Sequence, residues 1–284
     1  MSVLLEALQY PFFRRALLAG LLASVAGGVV GTYVVVRRIS SITGGLAHAA
    51  FGGVGLGYLL GFDPTAGGLG FGVLAALGVG AAEDRLRAGF DTLVMMVWAV
   101  GMALGIAFIS LSTAEAPDLM SYLFGNILFV PDTWLGLVAG LDLLLLLCVW
   151  LWFRELRAVA FDPEFAEVVG LPVRRLYLLL LVLVALTVVT LIRVAGVILV
   201  IALLTMPAGI ARHWSSRLGH VMVGATLTGA VLVTAGLFLA YGVSSALGLD
   251  VPTGPLIILV AGGAFAASAA LRSRVTRRPG PSVD

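Results

Sequence analysis

Residues Leu176–Ala211 read LYLLLLVLVALTVVTLIRVAGVILVIALLTMPAGIA, an apolar stretch of 36 residues holding a single charge, Arg193. About 20 helical residues cross a hydrocarbon layer about 30 Å thick, so one helix here would overshoot the bilayer. Arg193 divides the stretch into two spans, Leu176–Ile192 and Val194–Ala211. That division sets the sidedness of everything before it. Basic residues collect in the cytoplasmic loops of membrane proteins. Without the break, the arginines between Arg154 and Arg175 would move to the outer side.

The same length argument splits Leu46–Ala82, which as one helix would reach about 55 Å at 1.5 Å per residue. Asp63-Pro64 lies at its centre, and a proline restricts the backbone of the residue before it. The halves are Leu46–Gly61 and Thr65–Ala82. With the runs Ala16–Val36, Phe90–Ser112, Val130–Phe153, Leu218–Tyr241 and Thr253–Leu271, the total is nine segments, some of them short. The expectation is an all-α integral membrane protein, a polytopic bundle of eight to nine transmembrane helices. Nine spans with the basic tail RSRVTRRPGPSVD inside leave 14 of the 17 arginines cytoplasmic, with Arg14, Arg15 and Arg193 outside. The outer loops then carry Asp63, Glu115, Asp118, Asp132 and Asp250, a mildly acidic face.

Composition agrees. The chain is 61% hydrophobic and 11% charged, with a mean hydropathy of +1.11; soluble domains carry about 25% charge. A net charge of +2 is too small to indicate nucleic-acid binding. All basic residues are arginine, which excludes a P-loop, whose lysine reaches nucleotide phosphates. If ATP drives this protein, another chain hydrolyses it. Cys148 is the single cysteine, so neither a disulfide framework nor a cysteine zinc site forms within the chain. Residues 1–15 lack the basic start and small-residue cleavage site of a signal peptide. They read as an interfacial segment with Phe12 and Phe13 in lipid. Residues 16–271 form the membrane domain and 272–284 a basic cytoplasmic tail.

Polar side chains within spans are costly and therefore candidates for function. His48, in GGLAHAAFGGVG, offers an imidazole, a frequent ligand for first-row metals. Asp142 lies inside the run GLDLLLLL. Met95, Met96, Met102 and Met206 are soft donors that more often fill gaps in a core. Small residues recur at four-residue spacing in Gly27/Gly31, Gly53/Gly57, Gly57/Gly61, Gly101/Gly105 and Gly136/Gly140, a pattern that lets helix backbones approach. In the cytoplasmic loop 154–175, Asp162 reads as an N-cap and Pro163 as the first residue of a short helix. Glu164 and Glu167 sit in its first turns, Gly170 ends it, and Ala166, Val168 and Val169 give it an apolar side. Such a capped cytoplasmic helix suits docking into a groove of another protein.

Together these stretches resemble the permease subunits of the manganese, zinc and iron ABC importers, the ABC-3 family. RRISSITGGLAHAAFGGVGLGY, DLMSYLFGNIL, FDPEFAEVVGLPV, VAGVILVIALLTMPAGIAR and DVPTGPLIILV follow in the family's order, from about Arg14 to Leu271. The resemblance implies a type II-like importer architecture: two permease copies or paralogues around a central path, an ATPase dimer inside, and an extracytoplasmic metal-binding protein outside. It implies a transported Zn, Mn or Fe ion and no intrinsic cofactor, in a prokaryotic cell membrane. The family's intramembrane metal site has an Asp four residues before the His of "LAHA". His48 matches, but Gly44 stands where the Asp would be, so either another carboxylate substitutes, with Asp250 and Asp142 as candidates, or the metal passes with fewer ligands. The loop FDPEFAEVVGLPV is the expected contact with the ATPase. Two other classes share parts of this pattern: a secondary transporter or channel for a cation, and an ABC permease for a metal chelate or vitamin.

Overall fold

The computed structural model describes residues 6–83, 89–113, 119–125, 127–248 and 251–276. Among them are nine helices of 18 residues or more: α1 (Pro11–Val36), α2 (Ser40–Leu60), α3 (Pro64–Glu83), α4 (Phe90–Leu111), α6 (Asp132–Leu151), α9 (Val173–Ala195), α10 (Val197–Trp214), α11 (Leu218–Leu247) and α12 (Thr253–Thr276). Three short helices complete the order: α5 (Leu119–Phe124), α7 (Phe153–Phe161) and α8 (Pro163–Val168). Eight of the nine long helices reach a mean hydropathy between 1.6 and 2.8, enough to cross a membrane. The remaining one, α2, is glycine-rich and falls short of them, although it is buried without interruption from Ile42 to Gly55.

The helices form two groups. In one, α2 is pressed between α3 and α4; in the other, α1 packs against α10 and α11, with α12 on their outer flank. α9 joins the groups by touching α3, α2, α1 and α10. α4, α6 and α12 lie at the periphery and bury few of their residues, as expected where lipid is the solvent. Packing in the first group is backbone against backbone. A Cβ on Gly53 would strike the carbonyl of Gly67, and one on Gly101 would strike Ala49 at 2.6 Å. Gly27 and Gly31 likewise admit Leu203 and Leu204 of α10. The pair Gly136/Gly140 does not follow suit, since nothing lies within 4 Å of either position.

The break in the opening stretch is real but sits at a different residue. Arg193 remains in the last turn of α9, and the chain turns at Gly196, at φ +78°. Charge marks the membrane boundary, whereas a left-handed residue ends the helix, and only glycine adopts that conformation without strain. A Cβ on Gly196 would also collide with Phe124 and Gly125, the end of α5. The outer segment around α5 is thus seated on the α9–α10 break. Its Tyr122 ring packs on Phe51 of α2, with centroids 4.5 Å apart.

Contacts between helix ends agree with nine crossings. Arg15 pairs with Asp132 at 2.7 Å, and Arg193 donates to the Thr65 hydroxyl at 3.0 Å while lying over Trp134. These place the starts of α1, α3 and α6 and the end of α9 on one side. Arg37 donates to the Val159 carbonyl at 2.8 Å and lies over Tyr177, joining the end of α1, α7 and the start of α9 on the other. The expected lipid exposure of the N-terminal aromatics is half corrected. Phe12 is exposed, but Phe13 is buried against Phe238 and Tyr241, because the helix begins at Pro11 and turns Phe13 inward.

Candidate functional site

His48 is held by its own helix and by α4. Its Nδ1 lies 2.9 Å from the Gly44 carbonyl. A carbonyl only accepts, so Nδ1 carries the proton and Nε2 keeps the lone pair, the form in which imidazole binds a metal. The ring stacks on Trp98 of α4, with centroids 4.5 Å and planes 24° apart. Gly44 is part of the same arrangement, because a Cβ built there would run into the Trp98 indole. The place where the resemblance puts an aspartate is therefore filled by an aromatic ring from the neighbouring helix. Trp98 escaped the sequence reading, although a tryptophan in mid-span, away from the membrane interfaces where tryptophan concentrates, was its available signal.

The structure does not bring His48 and Asp142 together. Asp142, on α6, is buried but faces α1 and α9, whereas His48 faces α4. Asp250 lies outside the described residues, as do Glu115, Asp118, Arg85 and Arg87. Among the described residues no group of three or more His, Cys, Asp or Glu side chains gathers as a metal cage. Met95 and Met96 are exposed at the periphery of α4.

The loop 154–175 folds as its caps dictate. Asp162 Oδ1 accepts from the Phe165 amide at 2.9 Å, Pro163 opens α8, and Gly170 leaves it at φ +83°. Glu164 and Glu167 point outward with Phe161, Phe165, Val168 and Val169. Ala166 departs from the expected apolar face, being fully buried beneath the helix. α7, in a stretch the sequence predicts as loop, carries α8. Its Leu156, Val159 and Ala160 are buried in the bundle, and Arg37 ties its Val159 carbonyl to the end of α1. α8 is therefore mounted on the ends of α1 and α9.

Nine long, mostly apolar helices among the described residues, with a short helix pair mounted on the ends of α1 and α9, are the build of a transporter's membrane subunit. The sequence profile of the ABC 3 transport family matches residues 9–272, and the chain belongs to that family as a multi-pass membrane permease. An uncharacterised membrane protein of Synechocystis sp. is 41% identical over 271 residues, covering 95% of this chain and 94% of that protein. The manganese transport system membrane protein MntC of Listeria monocytogenes is 34% identical, covering 82% and 83%. Among solved structures, PsaBC from Streptococcus pneumoniae in complex with Fab matches with a TM-score of 0.82 and 30% identity, over 94% of each chain.

Proposed function

We propose that the chain is the membrane-spanning subunit of an ATP-driven importer of a divalent transition-metal ion, manganese ahead of zinc and iron. The observation that carries the ATP-driven half is α8, a capped, acidic and apolar helix presented to the cytoplasm by α7, which is anchored by the buried Leu156, Val159 and Ala160. A partner ATPase dimer that grips α8 acts directly on the ends of α1 and α9 through Arg37 and the packing of α7. The name of the Listeria relative supports manganese as cargo. His48 then acts as a transit ligand through Nε2, with Asp250 as the outer carboxylate, and Asp142 stands apart from that path. A site with few protein ligands suits cargo that must be released as readily as it is bound. The exposed Gly136/Gly140 stripe of α6 suits close contact with a second permease copy. In this reading the C-terminus is cytoplasmic and an extracytoplasmic binding protein delivers the metal.

The test is reconstitution in liposomes with and without the cognate ATPase. Uptake of manganese should require the ATPase and ATP. Replacing Glu164 and Glu167 by Arg should leave the permease folded while cutting ATP-dependent uptake at least tenfold. Uphill uptake by the permease alone would refute the reading and favour a gradient-driven carrier.

A further inference from the structure

While Leu156, Val159 and Ala160 bury one face of α7, Phe153, Arg157 and Phe161 recur at four-residue spacing and form a second. That face lines an open recess of about 500 Å³, whose far wall is the first turn of α11 with Arg217, Gly219 and His220. The Arg157 guanidinium lies 6.0 Å from the centre of the Phe153 ring. A Cβ on Gly219 would meet that ring at 3.8 Å, so the two helices touch beside the recess. Arg157, Arg217 and His220 are exposed, and among the described residues no carboxylate pairs with either arginine. α11 also opens there with no acidic residue in its first turn. The recess is therefore cationic and partly aromatic.

Phe153 also lines a second groove, of about 680 Å³, that runs between α1, α6 and α11 over Val29, Val149, Trp150 and Met222. Val29 is seven residues from the end of α1 and Met222 four from the start of α11, about 10 Å and 6 Å into the bilayer at 1.5 Å per residue. Arg154 and Glu155 flank the groove with opposite charges. A cationic recess at the membrane surface thus continues into an apolar groove that descends into lipid. A free phosphate, a nucleotide or an acidic protein segment would satisfy the arginines and leave the groove empty. An apolar peptide would do the reverse. An anionic phospholipid satisfies both: its phosphate matches the arginine donors and an acyl chain covers the groove. We propose that these two recesses form one site for an anionic phospholipid, its headgroup between Arg157 and Arg217 and a chain along Val149, Trp150 and Met222. The leaflet rests on the proposed function, which makes this side cytoplasmic, the side where membranes carry anionic lipid. A bound lipid bridges α7 to α11 and so steadies the mount of α8.

Native mass spectrometry of the purified full chain, released from micelles carrying phosphatidylglycerol or phosphatidylcholine of matched chains, tests the site. It needs neither ATPase nor metal, so its failure is separable from failure of the uptake assay. One arginine at an anionic membrane surface is worth about fivefold in binding, and the wild type should prefer phosphatidylglycerol by at least about that factor. Arg157→Gln combined with Arg217→Gln should remove the preference. Arg174→Gln combined with Arg175→Gln, exposed on the same side but outside the recess, should preserve it, and inorganic phosphate at equal concentration should not displace the lipid. The wild-type measurement stands whether or not the variants fold. Five results would overturn the proposal: equal retention of the two lipids; a preference that survives loss of Arg157 and Arg217; equal loss in the Arg174 and Arg175 variant, which would mean diffuse surface charge; displacement by inorganic phosphate, which would mean a free-anion pocket; or expulsion of the lipid when the chain dimerises, which would make the groove a contact with a second copy.

Discussion

The contact between Gly44 and Trp98 predicts that one substitution changes sign with its neighbour. Gly44 is buried in α2, and a Cβ there meets the Trp98 indole. Gly44→Ala has two effects. Alanine favours the helix by about 1 kcal/mol over glycine, and forcing a methyl into a packed space costs about 1–3 kcal/mol. With Trp98 present, the sum is about 0–2 kcal/mol unfavourable. In a Trp98→Ala background only the helix term remains, and the same substitution stabilises by about 1 kcal/mol. The difference, about 1–3 kcal/mol, lies in the range measured for residues in contact. Denaturant titration in mixed micelles of the wild type, both single variants and the double variant gives this coupling directly. If Gly44→Ala raises stability equally in both backgrounds, the indole does not occupy that space and the account of the missing carboxylate fails. A further arm bears on chemistry. Gly44→Asp in the Trp98→Ala chain puts a carboxylate one helical turn from His48, on the same face, and manganese should bind at least tenfold more tightly than in Trp98→Ala alone.

Three further outcomes are expected. His48→Ala should lower ATP-dependent manganese uptake at least tenfold in the assembled transporter; unaltered uptake would make the imidazole structural. Gly196→Ala should destabilise the chain by about 3 kcal/mol or more, since it combines a strained left-handed backbone with a collision against Phe124 and Gly125; a change below about 0.5 kcal/mol in the same titration would contradict the seating of α5. Asp132→Asn should change stability by less than about 1 kcal/mol, because the Arg15–Asp132 pair is largely exposed and screened by salt; a larger loss in the same titration would mean that the pair fastens α1 to α6.

What the sequence makes legible follows from the range of each interaction. Span lengths, the Asp63-Pro64 break and the Asp162–Gly170 capping pattern depend on neighbours within a few residues, and the helices bear them out. The single charge, Arg193, predicts the second break, whereas Gly196 terminates the helix. α7 was missed because its amphipathic pattern is short, and what secures it is the distant Arg37. The candidate site was legible only as a list of residue types. Whether His48, Asp142 and Gly44 meet depends on helix rotation and packing, which a single sequence does not encode locally. Rotation turned His48 to Trp98 and Asp142 to Thr187 instead. The Gly136/Gly140 spacing looks like that of Gly27/Gly31, yet one pair packs against a helix of this chain and the other faces outward.

The low apolarity of α2 bears on how the protein is made. A segment leaves the translocon for lipid on the strength of its own hydrophobicity, and α2, with its glycines and His48, has less of it than any other long helix. Its partition into the membrane must therefore be subsidised by the strongly apolar α1 before it and by α3 and α4 after it, the latter two being the helices that eventually wrap it. A nascent chain ending just past Leu60 would hold α2 poorly, and one extended through Leu111 would retain it. The helix carrying the candidate ligand is thus the one whose biogenesis depends most on its escorts.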